Sequence, residues 1–77
     1  MENKHSEIHN KLKLNILCIR ESQGLSQLQL AEKASISKTH MSNIEALDSN
    51  TVPTLATLID IANALDISLD ALFDFGD

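Results

Sequence analysis

"SQLQLAEKASISKTHMSNIE", residues Ser26 to Glu45, reads as two short helices with little more than a turn between them. Ser26 can cap a free N–H while Gln29, three residues on, reaches back to the cap, a capping box with Gln in place of Glu. Leu28, Leu30, Ala31 and Ala34 give this helix its apolar bulk, and Ala31 is small enough for two backbones to approach closely. "ASIS" interrupts it. Ser37 then caps a following helix that runs to about Ala46, with Met41 and Ile44 facing inward and Ile36 tucked before the cap.

The flanking sequence is helical as well. Leu12, Ile16 and Ile19 recur at i, i+4 and i+7, and Ile8 extends that apolar stripe by a turn. Leu14, Leu17 and Cys18 lie off the stripe and widen the apolar face, with Cys18 expected as a small filler. Gly24 fits the left-handed residue that commonly ends a helix. On the other side, "LDSNTVP" is a loop closed by Pro53, after which Thr54 caps a fourth helix. Leu55, Leu58, Ile61, Ala62 and Leu65 are expected on its buried side, and Asp66 is a tolerable left-handed stop. Ser68 caps a short fifth helix bearing Leu69, Leu72 and Phe73, with Asp70 in the first turn where the helix dipole favours an anion. The expected fold is all-α, a compact five-helix bundle, with residues 1–11 as an N-terminal extension whose outer part is flexible and residues 12–77 as the domain.

Composition removes several function classes. At 77 residues the chain holds one domain. Cys18 is its only cysteine, which rules out an internal disulfide and fits a reducing, cytoplasmic setting. No apolar run reaches the roughly 18 residues of a membrane span, and "MENKHSEIHNKLK" lacks the apolar stretch of a signal peptide. Tyr and Trp are absent and Phe occurs twice, which leaves almost nothing on which single-stranded bases could stack. His5 and His9 are spaced i, i+4 but have no third ligand nearby, so they read as surface histidines, with no metal and no cofactor. No nucleophile with a base, phosphate loop or paired-carboxylate cleft is present, and the expectation is a protein that is not an enzyme.

The outer face of the helix after Ser37 carries Lys38, Thr39, Ser42 and Asn43, short or flexible hydrogen-bonding side chains without negative charge. A face meant only for solvent would more often carry Glu–Lys pairs at i, i+4. Together, "IRESQGLSQLQLAEKASISKTHMSNIE" and "PTLATLIDIANALDISLDALF" resemble the phage-repressor-like (Cro and lambda-repressor type) helix-turn-helix domains of transcription regulators. The resemblance runs from about Leu12 to Phe73. It implies that Lys38 and Thr39 face base edges in the major groove, with Ser42 and Asn43 beside them. Lys suits guanine O6 and N7, and Asn suits adenine N6 and N7. The resemblance further implies that Gln27 meets a DNA phosphate at the start of its helix, and that Arg20 and Glu45 form an architectural ion pair.

Departures from the family pattern bear on affinity. The turn position usually held by Gly is Ser35, at a steric cost of about 1 kcal/mol in a left-handed conformation. The Arg-Gly that usually follows the Glu is Ala46-Leu47, and the longer loop up to Pro53 has no basic side chain. Ser49, Asn50 and Thr51 can still offer hydroxyl, amide and backbone N–H groups to phosphate. Charge is divided unevenly: residues 1–44 balance at +2, while residues 45–77 contain seven acids and no base, for −7. The acidic half corresponds to the fourth and fifth helices, expected to lie away from DNA.

"ISLDALFDFG" has more apolar residues than a short helix can hide, so Ile67, Leu69, Leu72, Phe73 and Phe75 are expected to contribute a two-fold dimer interface. The reading is a dimeric transcription regulator on a palindromic double-stranded operator. A second reading is a protein-interaction module, an antitoxin or adaptor, whose acidic half engages a protein partner and whose DNA binding is weak or lost.

Overall fold

The structure, a computed structural model, describes residues 4–75, with side chains from Glu7 onward. Among these residues there are five helices and no strand: α1 (Lys4–Ser22), α2 (Gln27–Ala34), α3 (Lys38–Glu45), α4 (Leu55–Ala64) and α5 (Leu69–Leu72). The side chain of His5 lies outside the described residues, as do Gly76, Asp77 and the outer part of the N-terminal extension. From Lys4 the extension is continuous with α1, and no break falls at residue 11. No described helix is long and apolar enough to cross a membrane.

The caps follow local chemistry. Ser26 Oγ accepts from the Gln29 N–H at 3.1 Å, and Gln29 Oε1 accepts from the Ser26 N–H at 2.8 Å, completing the capping box. Ser37 caps α3 through the His40 N–H, and Thr54 caps α4 through the Thr57 N–H. Ser68 has the extended backbone of a cap residue but makes no side-chain bond, so α5 starts without that help.

Three helices end in one way. Gly24, Ser35 and Asp66 take positive φ angles of 73°, 60° and 58°. In each case the next residue donates its N–H to a carbonyl five residues back: Leu25 to Arg20, Ile36 to Ala31, Ile67 to Ala62. These are Schellman closures, and each places an apolar residue (Leu25, Ile36, Ile67) against the core. Ser35 carries a Cβ penalty that Gly24 does not. Ser35→Gly is therefore expected to stabilise the fold by about 0.5–1 kcal/mol, read as a higher urea midpoint at unchanged slope.

The core joins Leu12 and Ile16 of α1, Leu30, Ala31 and Ala34 of α2, Met41 and Ile44 of α3, Leu58, Ile61 and Ala62 of α4, Leu65 and Leu72. α3 packs on α1 and α2, while α4 packs on α2 and on α5, which also touches α1. Several apolar residues expected inside are not. Ile8 is 48% exposed, because each four-residue step overshoots a full helical turn by about 40° and two steps carry Ile8 off the face of Ile16. The buried face drifts instead through Lys13 and Arg20. Cys18 is exposed rather than a filler, and Leu14 beside it is half-exposed. Leu28 stands outside, and Leu55, in the first turn of α4, projects beyond the bundle at 62% exposure.

Candidate nucleic-acid interface

α3 is pinned from below and open above. Met41 and Ile44 are fully buried, and Ser37 fixes where the helix begins. One turn apart on the opposite side, Lys38, Thr39, Ser42 and Asn43 are all exposed and line a shallow recess of about 190 Å³. Among the described residues, no ion pair or side-chain hydrogen bond ties any of the four down. The structure thus gathers the four sequence-expected base readers on one free face.

The far end of α3 is held by charge. Arg20 Nε and Nη2 donate to the two Glu45 carboxylate oxygens at 2.8 and 3.1 Å, with both side chains more than nine-tenths buried. Arg20 Nη1 also donates to the Leu25 carbonyl at 2.6 Å, linking the ion pair to the closure of α1. Gln27 also has a partner inside the protein. Its Nε2 donates to Glu45 Oε1 at 2.9 Å, so its side-chain amide is a third donor to the buried carboxylate, with one N–H left over.

Lys13 was not legible as a site residue. It is only 3% exposed, and its ammonium donates to the carbonyls of Asn43 at 3.2 Å, Ala46 at 3.0 Å and Ser49 at 3.4 Å. Burial pushes its pKa below the ordinary lysine value, against an opposing pull from the Asp48 carboxylate. α3 has no basic residue in its own last turn, and Lys13 of α1 supplies the cation that the end of the helix dipole favours. No spacing rule signals such a contact, because donor and acceptors lie 30 to 36 residues apart.

Beyond α3, Ser49 Oγ donates to Thr51 Oγ1 at 3.0 Å and accepts from the Thr51 N–H at 3.1 Å, which braces the loop and leaves Asn50 at its exposed tip. A cleft of about 250 Å³ separates this loop from the start of α1. The positive charge available to a polyanion is thinner than the +2 half of the sequence implied. Lys13 and Arg20 are engaged internally, and Lys11 lies over the Phe75 ring at 5.8 Å. Lys33 and Lys38 are exposed.

Of the residues expected at a dimer interface, Leu72 is a correction: it is fully buried by the chain's own core and presents nothing to a second copy. Ile67, Leu69 and Phe75 pack partly against that core. Phe73 is 41% exposed and meets Phe75 edge-on at 6.4 Å.

A family model described as helix-turn-helix matches residues 19–72, the span from the end of α1 through α5. The chain belongs to the phage-repressor-like helix-turn-helix family. It is 42% identical over 57 residues to the immunity repressor protein of Bacillus phage phi105, covering 74% of this chain and 38% of that protein. It is 36% identical over 66 residues to the control protein C.SmaI of Serratia marcescens, covering 86% of this chain and 76% of that protein. The chain therefore spans well under half of the phage repressor's length and most of the control protein's.

Proposed function

We propose that this chain is a cytoplasmic, non-enzymatic regulator that binds a palindromic DNA operator as a homodimer. The observation that carries this reading is the outer face of α3, where Lys38, Thr39, Ser42 and Asn43 are exposed together, without side-chain partners among the described residues, above a fully buried underside. In this reading α3 lies in the major groove, with Lys38 and Asn43 as the principal base readers and Thr39 and Ser42 beside them. Ser49, Asn50, Thr51 and the second amide N–H of Gln27 meet phosphates. The names of the phage repressor and the control protein support regulation of a promoter.

The acids Asp60 of α4 and Asp70 of α5, with Asp66 and Asp74 just beyond those helices, sit on elements that pack on α2, on α1 and on each other. In this reading they lie away from the duplex and do not oppose docking through α3. The low count of exposed cations among the described residues implies weak non-specific binding and a shallow salt dependence, since few counterions are released.

Phe73, partly buried Ile67, Leu69 and Phe75, and the i, i+4 pair Leu55 and Ile59 on the outside of α4 give apolar surface for a two-fold contact. A dimer of this kind sets two copies of α3 about 34 Å apart, one turn of DNA. Sedimentation at micromolar concentration is expected to show a dimer, and Phe73→Glu to shift it toward monomer. A strict monomer in the unaltered chain contradicts the proposal.

The second reading, a protein-interaction module, draws on the internal engagement of Lys13 and Arg20 and the absence of bases after residue 44. Selection from random duplex DNA at two salt concentrations separates the two. Enrichment of a palindrome supports the regulator; no enriched sequence at either salt supports the module.

A further inference from the structure

The ammonium of Lys13 has three N–H donors, and three backbone carbonyls surround it. Two of them, Asn43 and Ala46, belong to the end of α3, where carbonyls lack partners within the helix. The third, Ser49, belongs to the loop whose hydroxyl bonds shape Asn50 and Thr51. One buried cation therefore holds two segments at once. Asn43 is gripped by its carbonyl while its side chain stands free on the outer face of the helix.

We infer that Lys13 is a positioning residue for operator recognition, locking the recognition helix and the phosphate-facing loop into one fixed spacing; this rests on the DNA reading above. With its donors turned to carbonyls inside the bundle, Lys13 does not itself reach DNA. It acts through Asn43 and through the Ser49–Thr51 loop. Without it, α3 is still seated by Met41, Ile44 and the Arg20–Glu45 pair, but its last turn and the loop are free to shift relative to each other. Base contacts and phosphate contacts made from those two segments then no longer register on the same stretch of duplex. Discrimination between operator and unrelated DNA falls, whereas non-specific attraction, which needs only exposed charge, is unchanged.

The test uses the full chain, an operator recovered by selection and an unrelated duplex of equal length. Affinities are measured for wild type, Lys13→Met and Lys13→Gln, with the folded fraction of each taken from circular dichroism in the same buffer. Lys13→Met matches the length of the side chain without its donors. It is expected to lose about tenfold in operator affinity, the scale of one good base contact, and to bind the unrelated duplex as wild type does. Lys13→Gln, which keeps N–H donors without the charge, is expected to fall between them, and it carries the test if Lys13→Met does not fold. A double-mutant cycle adds a readout that general loosening does not give: Thr51→Ala should matter less in the Lys13→Met background than in wild type.

Wild-type discrimination in folded Lys13→Met, or, where that variant does not fold, in Lys13→Gln, overturns the inference and leaves the DNA reading standing. So does a parallel loss on both duplexes. Absence of any operator preference in wild type overturns the DNA reading itself, and the inference with it.

Discussion

Arg20→Ala is expected to destabilise the fold by about 3–5 kcal/mol, measured by urea denaturation near neutral pH. The size follows from what is left behind. Glu45 has a side chain 3% exposed and would keep only the Gln27 amide as a partner for a charged carboxylate. An ionised group in that position has lost its counter-charge without regaining water. The reverse change, Glu45→Ala, is expected to cost less. Arg20 would retain the Leu25 carbonyl at 2.6 Å, and the exposed Glu21 carboxylate stands 4.0 Å from its Nη2. Replacing both partners with apolar side chains of similar volume should come close to neutral, because neither charge is then stranded. If Arg20→Ala costs less than about 1 kcal/mol, the pair does not clamp the end of α3.

The second large effect is on DNA. Lys38→Ala and Asn43→Ala are each expected to weaken operator binding by about 1–3 kcal/mol and to relax preference at particular base positions. Combined, they should bring operator affinity down to that for unrelated DNA. Stability should hardly change in these variants, since both side chains are exposed and make no hydrogen bond to the other described residues. That combination distinguishes a reading face from a structural one. If the double variant keeps the preference of the unaltered chain, base recognition lies elsewhere.

How much of this was legible in the sequence depends on the range of each interaction. Ser26, Ser37 and Thr54 act on N–H groups three residues away, so cap spacing alone placed the starts of α2, α3 and α4. The left-handed closures at Gly24 and Asp66 were legible for a similar reason, each being enforced within five or six residues, whereas the one at Ser35 was anticipated only through family resemblance. The outward set Lys38, Thr39, Ser42 and Asn43 followed from helical period once Met41 and Ile44 were assigned inward.

Contacts between distant segments were not legible from spacing. Lys13 on the end of α3, Asn15 donating to the carbonyls of Ala71 and Leu72, and Gln23 donating to that of Leu65 all join polar side chains to backbone. Backbone acceptors have no sequence identity to recognise. Arg20 with Glu45 was anticipated only through family resemblance. The converse holds at Ile8, Cys18 and Leu55, where an apolar letter on or near a stripe is exposed because the bundle does not extend far enough to cover it.

The central claim is that the free flank of α3 meets the duplex while the acidic helices face away. Amide chemical-shift mapping of the labelled chain against its selected operator tests this most directly. The account predicts the largest shifts at Lys38, Thr39, Ser42 and Asn43, smaller ones at Asn50 and Thr51, and none from direct contact at Asp60, Asp66 or Asp70. Shifts concentrated on those aspartates, with the α3 face unmoved, would contradict it.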